Sequence, residues 1–153
     1  MIDGRCPGCL QPCAVMDRLN ISSGSRFEAE GAYSRVVVLG PWIFVSGCSG
    51  FDYATGGISS DVVQQAKQTF RNISAALAAA GASLADVVKT SLILADAKDY
   101  AAIAPVLKAH LDAVRPTSTA WEGKLMEPRM KVEIEVTAYK EPRHERGTNG
   151  GAP

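Results

Sequence analysis

The stretch PRMKVEIEVTA, residues 128–138, alternates without a break: Met130, Val132, Ile134, Val136 and Ala138 fall on one side of an extended chain, and Lys131, Glu133 and Glu135 on the other. A period of two belongs to a β-strand, so the chain must build a sheet with one apolar and one charged face along this strand. An edge strand open to water gives the same alternation with no function attached. The charged face therefore calls for an explanation from its surroundings.

The chain has 153 residues, 46% of them hydrophobic and 21% charged, which suits one soluble domain with a real core. Sixteen basic residues balance sixteen acidic ones, so no strong field draws it to nucleic acid or an anionic membrane, and neither partner is expected. No apolar run approaches the roughly 20 residues of a membrane span, because VVVLGPWIFV is broken by Gly40 and Pro41. Residues 1–15, MIDGRCPGCLQPCAV, lack the continuous apolar core of a secretory signal, and a cytoplasmic location is expected. That segment holds Cys6, Cys9 and Cys13, but a zinc site wants four ligands and no further cysteine or histidine stands close by. It reads as a disordered leader, with Met16 as an alternative start, ahead of a domain over 16–140 and a flexible polar tail over 141–153.

Residues 34–39 and 42–46 are rich in branched and aromatic side chains and flank Gly40-Pro41, the pattern of a hairpin. A glycine-marked loop over 47–57 follows, then a helix capped by Ser60, with Val63, Ala66, Phe70, Ile73 and Leu77 at helical spacing and Gly81 as its stop. A turn over Ser83 to Asp86 leads into a strand from Val87 to Leu94. A second helix is expected from Asp99 to Ala113, with Ile103, Leu107 and Leu111 facing the core and Pro105 near its first turn. Strands near Ser118 to Leu125 and Met130 to Tyr139 close the domain. This order suggests an α+β sheet with both helices on one face. Val36, Val38, Ile43, Val45, Leu92 and Leu94 supply more apolar side chains than one face obviously needs. Copies of the chain packing on the bare face would cover the excess, and Glu133 and its neighbours would then line a cleft between subunits.

AYSRVVVLGPWIFVSGCSG (32–50), QTFRNISAALAAAGASLADVVKTSLIL (68–94) and PRMKVEIEVTA, in that order, resemble the Rid family, the YjgF/YER057c/UK114 group long labelled endoribonuclease L-PSP. The resemblance runs from about Asn20 to Tyr139. It implies a chorismate-mutase-like fold, a homotrimer with clefts between subunits, and addition of water to reactive imines and enamines to give a 2-keto acid and ammonia; no cofactor or metal is expected. It places Glu133 on the attacking water, Tyr33 ahead of the first strand beside the ligand, and Gly47 at the turn against it.

A carboxylate in a cleft can orient water and accept its proton whatever the family; the alternative for Glu133 is an ion pair with Lys131 or a neighbouring chain. Tyr33 has a rival reading as a half-buried rim residue. The family arginine that clamps a substrate carboxylate falls here on Ser118, whose hydroxyl cannot replace a guanidinium fork. Arg115 and Arg129 are close in sequence and read more simply as solvated loop charges, although Arg129 remains a candidate for the substrate carboxylate. Glu133 is thus the candidate catalytic residue, with Tyr33, Gly47, Ser118 and Arg129 as candidate substrate contacts. A non-catalytic trimer that binds a metabolite in the same clefts is the competing function. Cys48 and Trp121 read as packing residues. His110 and His144, the two histidines, offer no triad or metal cluster, and no basic stripe interleaved with aromatics supports a ribonuclease.

Overall fold

The structure, a computed structural model, describes residues 17–141. The leader with its three cysteines and the tail with His144 lie outside the described residues. Six strands, β1 (Arg18–Ile21), β2 (Val36–Leu39), β3 (Trp42–Ser49), β4 (Val87–Leu94), β5 (Thr117–Glu122) and β6 (Val132–Tyr139), form one sheet in the order β1-β2-β3-β6-β4-β5. Only β4 and β5 run parallel. Their link is the helix α3 (Tyr100–Leu111), as a parallel crossover requires. The long helix α2 (Val62–Ala79) packs on β3, β6 and α3, and both helices cover the same face. No helix among the described residues is long and apolar enough to cross a membrane.

The alternation of β6 is realised as read: Val132, Ile134, Val136 and Ala138 are buried in the core beneath α2, and Glu133 and Glu135 face away. Phe70, Ile73, Leu77 and Ile103 fill the helix side of that core. The apolar surplus, however, is distributed differently from expectation. Val36, Ile43, Val45, Leu92 and Leu94 are all buried on the helix side and Val38 packs against them, because residues two apart on a strand share a face. What the other face exposes is aromatic: Trp42, Phe44 and Tyr139, with Trp42 and Tyr139 edge to face at 5.0 Å.

Several boundaries are corrected. Asp61, not Ser60, caps α2; it is extended and its Oδ1 accepts from the Gln64 N–H at 2.8 Å. Pro105 stands inside α3, in its second turn rather than its first, and a 3-10 turn over Ala97–Asp99 precedes the helix. On α3 the buried positions are Ile103 and Val106, with Leu107 and Leu111 partly covered. Strand β5 ends at Glu122, where the Gly123 N–H turns back to the Leu94 carbonyl at 2.9 Å. The stop of α2 is as expected: Gly81 has φ +71°, and the Ala82 N–H bonds the Leu77 carbonyl at 2.8 Å. Two elements went unforeseen, the edge strand β1 and the short helix α1 (Arg26–Glu30).

Candidate active site

The pairing of β3 with β6 slips between Val45 and Cys48: these residues oppose Val136 and Ile134, so Ser46 and Gly47 together face the single residue Glu135. This is a β-bulge, a device that bends a strand and re-aims the side chains beyond the bend. The bulge is pinned from Ser34 and Arg35, just ahead of β2. The Ser46 Oγ donates to the Ser34 carbonyl at 2.8 Å, and the Arg35 Nη1 donates to the carbonyls of Ser46 at 3.3 Å and Gly47 at 2.7 Å. Gly47 is thereby brought against Glu133, so closely that a Cβ on it would sit 2.8 Å from the Glu133 Cδ. Glycine is required here by space.

Glu133 is half-buried and looks into a cavity of about 630 Å³ shared with Tyr33, Arg35, Gly47, Phe51 and Tyr53. Among the described residues its carboxylate makes no ion pair and no side-chain hydrogen bond, so Lys131 is not its partner. Burial pushes its pKa above the ordinary glutamate value; the Arg35 charge pulls it back and Glu135 adds to the rise. The result is an under-partnered carboxylate of raised basicity beside open space, suited to accept a proton from water.

Arg35 was not a candidate on sequence grounds, and the structure makes it the central cation of the site. Its side chain is only 5% exposed, with the guanidinium 5.6 Å from the centre of the Tyr33 ring and 5.3 Å from that of Tyr53. Burial works against its charge, but at the high pH where arginine titrates the ionised Cys48, Tyr53 and Tyr33, with the Glu28 carboxylate, outweigh that effect and hold its pKa above the ordinary value. Glu28 on α1 is itself buried: its carboxylate accepts from the Ser22 Oγ at 2.6 Å and from the Ser23 N–H and Oγ, and lies 3.4 Å from the Arg35 Nε. Burial alone would raise the Glu28 pKa; the serine hydrogen bonds and the Arg35 charge bring it below normal. The sequence did carry a signal, since an arginine opening the apolar run SRVVVL must find buried partners.

The other candidates separate. Tyr33 lines the cavity and its hydroxyl takes a long contact of 3.4 Å from the Arg35 Nη2. Arg129 is held at the rim: it pairs with Glu127 at 2.9 Å, and its guanidinium is 5.3 Å from the ring of Phe51, which does line the cavity. Ser118 lies elsewhere in the chain, on exposed β5, beside a different cavity walled by Thr90, Leu92 and Tyr100. Cys48 is fully buried and burial raises its pKa, which keeps it a neutral thiol and fits the packing role. His110 stacks on Phe70 at 4.3 Å and bonds the Val106 carbonyl at 2.8 Å, a structural part of α3. Trp121, read as packing, is 56% exposed on the single chain.

A model of the family described as endoribonuclease L-PSP matches residues 23–140. A 2-iminobutanoate/2-iminopropanoate deaminase of Rattus norvegicus is 32% identical over 123 residues, 80% of this chain and 90% of that protein. A RutC family protein of Pyrococcus abyssi is 38% identical over 112 residues, 72% of this chain and 88% of that protein. Among solved structures, a member of the YjgF/YER057c/UK114 family from Mycobacterium tuberculosis superposes with a TM-score of 0.73 at 35% identity, covering 80% of this chain and 99% of that one. RidA from an Antarctic Psychrobacter gives 0.69 at 33% identity, covering 82% and 98%.

Proposed function

The chain belongs to the endoribonuclease L-PSP family, the YjgF/Rid group, and from that membership we propose that it hydrolyses reactive 2-imino acids and their enamine tautomers to 2-oxo acids and ammonia. The observation that carries this reading is Glu133, a half-buried carboxylate of raised pKa left without a protein partner over a cavity. Water held by Glu133 adds through its oxygen to the imine carbon while its proton passes to the carboxylate. The carboxylate passes that proton to the imine nitrogen to give a neutral carbinolamine, then takes the carbinolamine's hydroxyl proton and delivers it to the amino nitrogen as the C=O bond forms and the C–N bond breaks, and ammonia leaves. Every atom of water ends in the products and Glu133 is regenerated ionised. The names of relatives such as the rat and goat deaminases, at 32% and 35% identity, support this chemistry over RNA cleavage. So does a cavity lined by the carboxylates of Glu30, Glu127 and Glu133 and the guanidinium of Arg35, with no histidine among its described residues.

The active form is proposed to be a homotrimer in which the aromatic face of the sheet packs on its neighbours and closes the mouth of the cavity. Freshly generated 2-iminobutanoate tests the chemistry, read as 2-oxobutanoate and ammonia formed above the uncatalysed rate. Acceleration by the wild type that Glu133→Gln abolishes is the expected result. Binding without acceleration would instead support the metabolite-binding reading.

A further inference from the structure

We propose that Arg35 anchors the negative charge of the substrate in the Glu133 cavity, replacing the arginine that the family resemblance places at the position of Ser118. The inference deepens the imine-hydrolase reading and rests on it for the identity of the substrate, though the anion site itself stands on geometry. Among the described residues lining that cavity, Arg35 is the one cation. Its guanidinium is held in place between Tyr33 and Tyr53, and one end, Nη1, is committed to the carbonyls of Ser46 and Gly47 and a 3.6 Å contact with the Cys48 Sγ. The rest is under-used. Nε has no hydrogen-bond partner although the Glu28 carboxylate lies 3.4 Å away, and Nη2 has only the long contact to the Tyr33 hydroxyl. Nε is buried against Glu28, but an arginine that lines the cavity with an Nη2 held only by a long contact is a ready donor site for a carboxylate.

Charge points the same way. Arg35 forms an ion pair with Glu28 and none with Glu133, so the guanidinium and the candidate base share the cavity without neutralising each other. A 2-imino acid has its carboxylate on the carbon that water must attack. Held at Arg35, it would present that carbon toward Glu133, and the guanidinium would offset the repulsion between the two carboxylates. The other cation considered at the rim, Arg129, is already paired with Glu127 and is 64% exposed, which makes it a poorer anchor.

The test is calorimetric binding of 2-oxobutanoate, the product acid, and of its neutral amide to wild type, Arg35→Lys and Arg35→Gln. Wild type should prefer the acid, and Arg35→Gln should lose about ten- to a hundredfold of that preference over the amide, the contribution of one charge-assisted hydrogen bond, while loosening of the bulge that Arg35 pins weakens both ligands alike. Arg35→Lys should fall between, because it keeps the charge and loses the fork. A merely structural arginine would weaken both ligands alike. An unchanged preference for the acid in Arg35→Gln, or none in wild type, overturns the proposal. Should the variants fail to fold, wild-type crystals soaked in 2-oxobutanoate decide: the carboxylate within hydrogen-bond distance of Arg35 supports the anchor, and a carboxylate held elsewhere refutes it. The two readings fail separately. Acid preference through Arg35 without imine hydrolysis removes the enzyme and keeps the anchor, whereas hydrolysis with an unaltered KM in Arg35→Gln removes the anchor and keeps the enzyme.

Discussion

The carboxylate of Glu133 on β6 occupies the space that a side chain at Gly47 on β3 would need, with the Glu133 Cδ 2.8 Å and Cγ 3.0 Å from the place of its Cβ. The bulge at Ser46 and Gly47, pinned by Arg35, sets this contact, so base, bulge and cation form one unit.

Gly47→Ala should therefore displace Glu133. The neighbouring backbone is fixed on β3, leaving the carboxylate as the part that moves. Imine hydrolysis should fall by about 100-fold, the cost of an ångström-scale misplacement, and stability by about 1–3 kcal/mol from overpacking. Denaturant unfolding and initial rates measure the two separately; full activity in the alanine variant would show that the position of Glu133 is not critical.

The sheet and helices were legible because periodicity is local. PRMKVEIEVTA sorted its residues onto two faces as the structure does, and the strand Val87–Leu94 came out to the residue. Glu133, Tyr33 and Gly47, which the family resemblance singled out, line one cavity. Arg35 was not, because its importance depends on partners at Glu28, Ser46, Gly47 and Tyr53 that only the fold brings together. The helix α1 that carries Glu28 is too short for periodicity to register, although Ser25 does cap it. The apolar surplus read from Val36, Val38, Ile43 and Val45 is no surplus, because their pairing across the hairpin puts all four on the helix side.

Glu133→Gln should abolish hydrolysis, with a loss of about 100- to 10,000-fold for removal of a general base. Its stability should depend on pH in a definite sense. Burial sets the folded pKa of Glu133 above the unfolded one, so the wild-type contribution is intact below the unfolded value and lost as pH rises through the folded value. Glutamine stays neutral throughout. The variant should match wild type in acid and be the more stable at neutral pH, and thermal melts that show it less stable at neutral pH would assign Glu133 to a structural ion pair.

The acid limb of kcat/KM should lie above the ordinary glutamate value of 4.5, since only ionised Glu133 accepts the proton. Because Arg35 pulls that pKa down, Arg35→Gln should move the limb to higher pH. A limb that stays in place in the variant would mean that another group titrates.

Gln65 tests whether the floor of the site is held from α2. It is fully buried; its Nε2 donates to the carbonyls of Ser59 and Arg129 at 2.7 and 2.8 Å, and its Oε1 accepts from the Lys131 N–H at 2.8 Å. Gln65→Ala removes the partner of three backbone groups and should cost about 1–3 kcal/mol for each one that water cannot reach. The segment leading into β6 should loosen, seen as faster amide exchange at Lys131, with hydrolysis reduced through Glu133. Unchanged exchange at Lys131 would show that β6 holds itself.

The aromatic face carries the last prediction. Trp42 is 40%, Phe44 44% and Tyr139 38% exposed on the single chain, on the sheet face opposite the helices. Large aromatic side chains grouped in this way mark an interaction surface, and the same face leads to Glu133 along β6. Light scattering should give three times the 16.2 kDa of one chain. Phe44→Glu should dissociate the assembly, since a charge placed in a desolvated interface has no partner there, while a folded circular-dichroism spectrum persists because Phe44 is not part of the helix-side core. If clefts between subunits complete the site, this monomer should bind 2-oxobutanoate poorly and hydrolyse imines slowly. A monomer as active as wild type would place the whole site, Arg35 and Glu133 together, within one chain, and a wild type that is already monomeric would remove the trimer from the proposal.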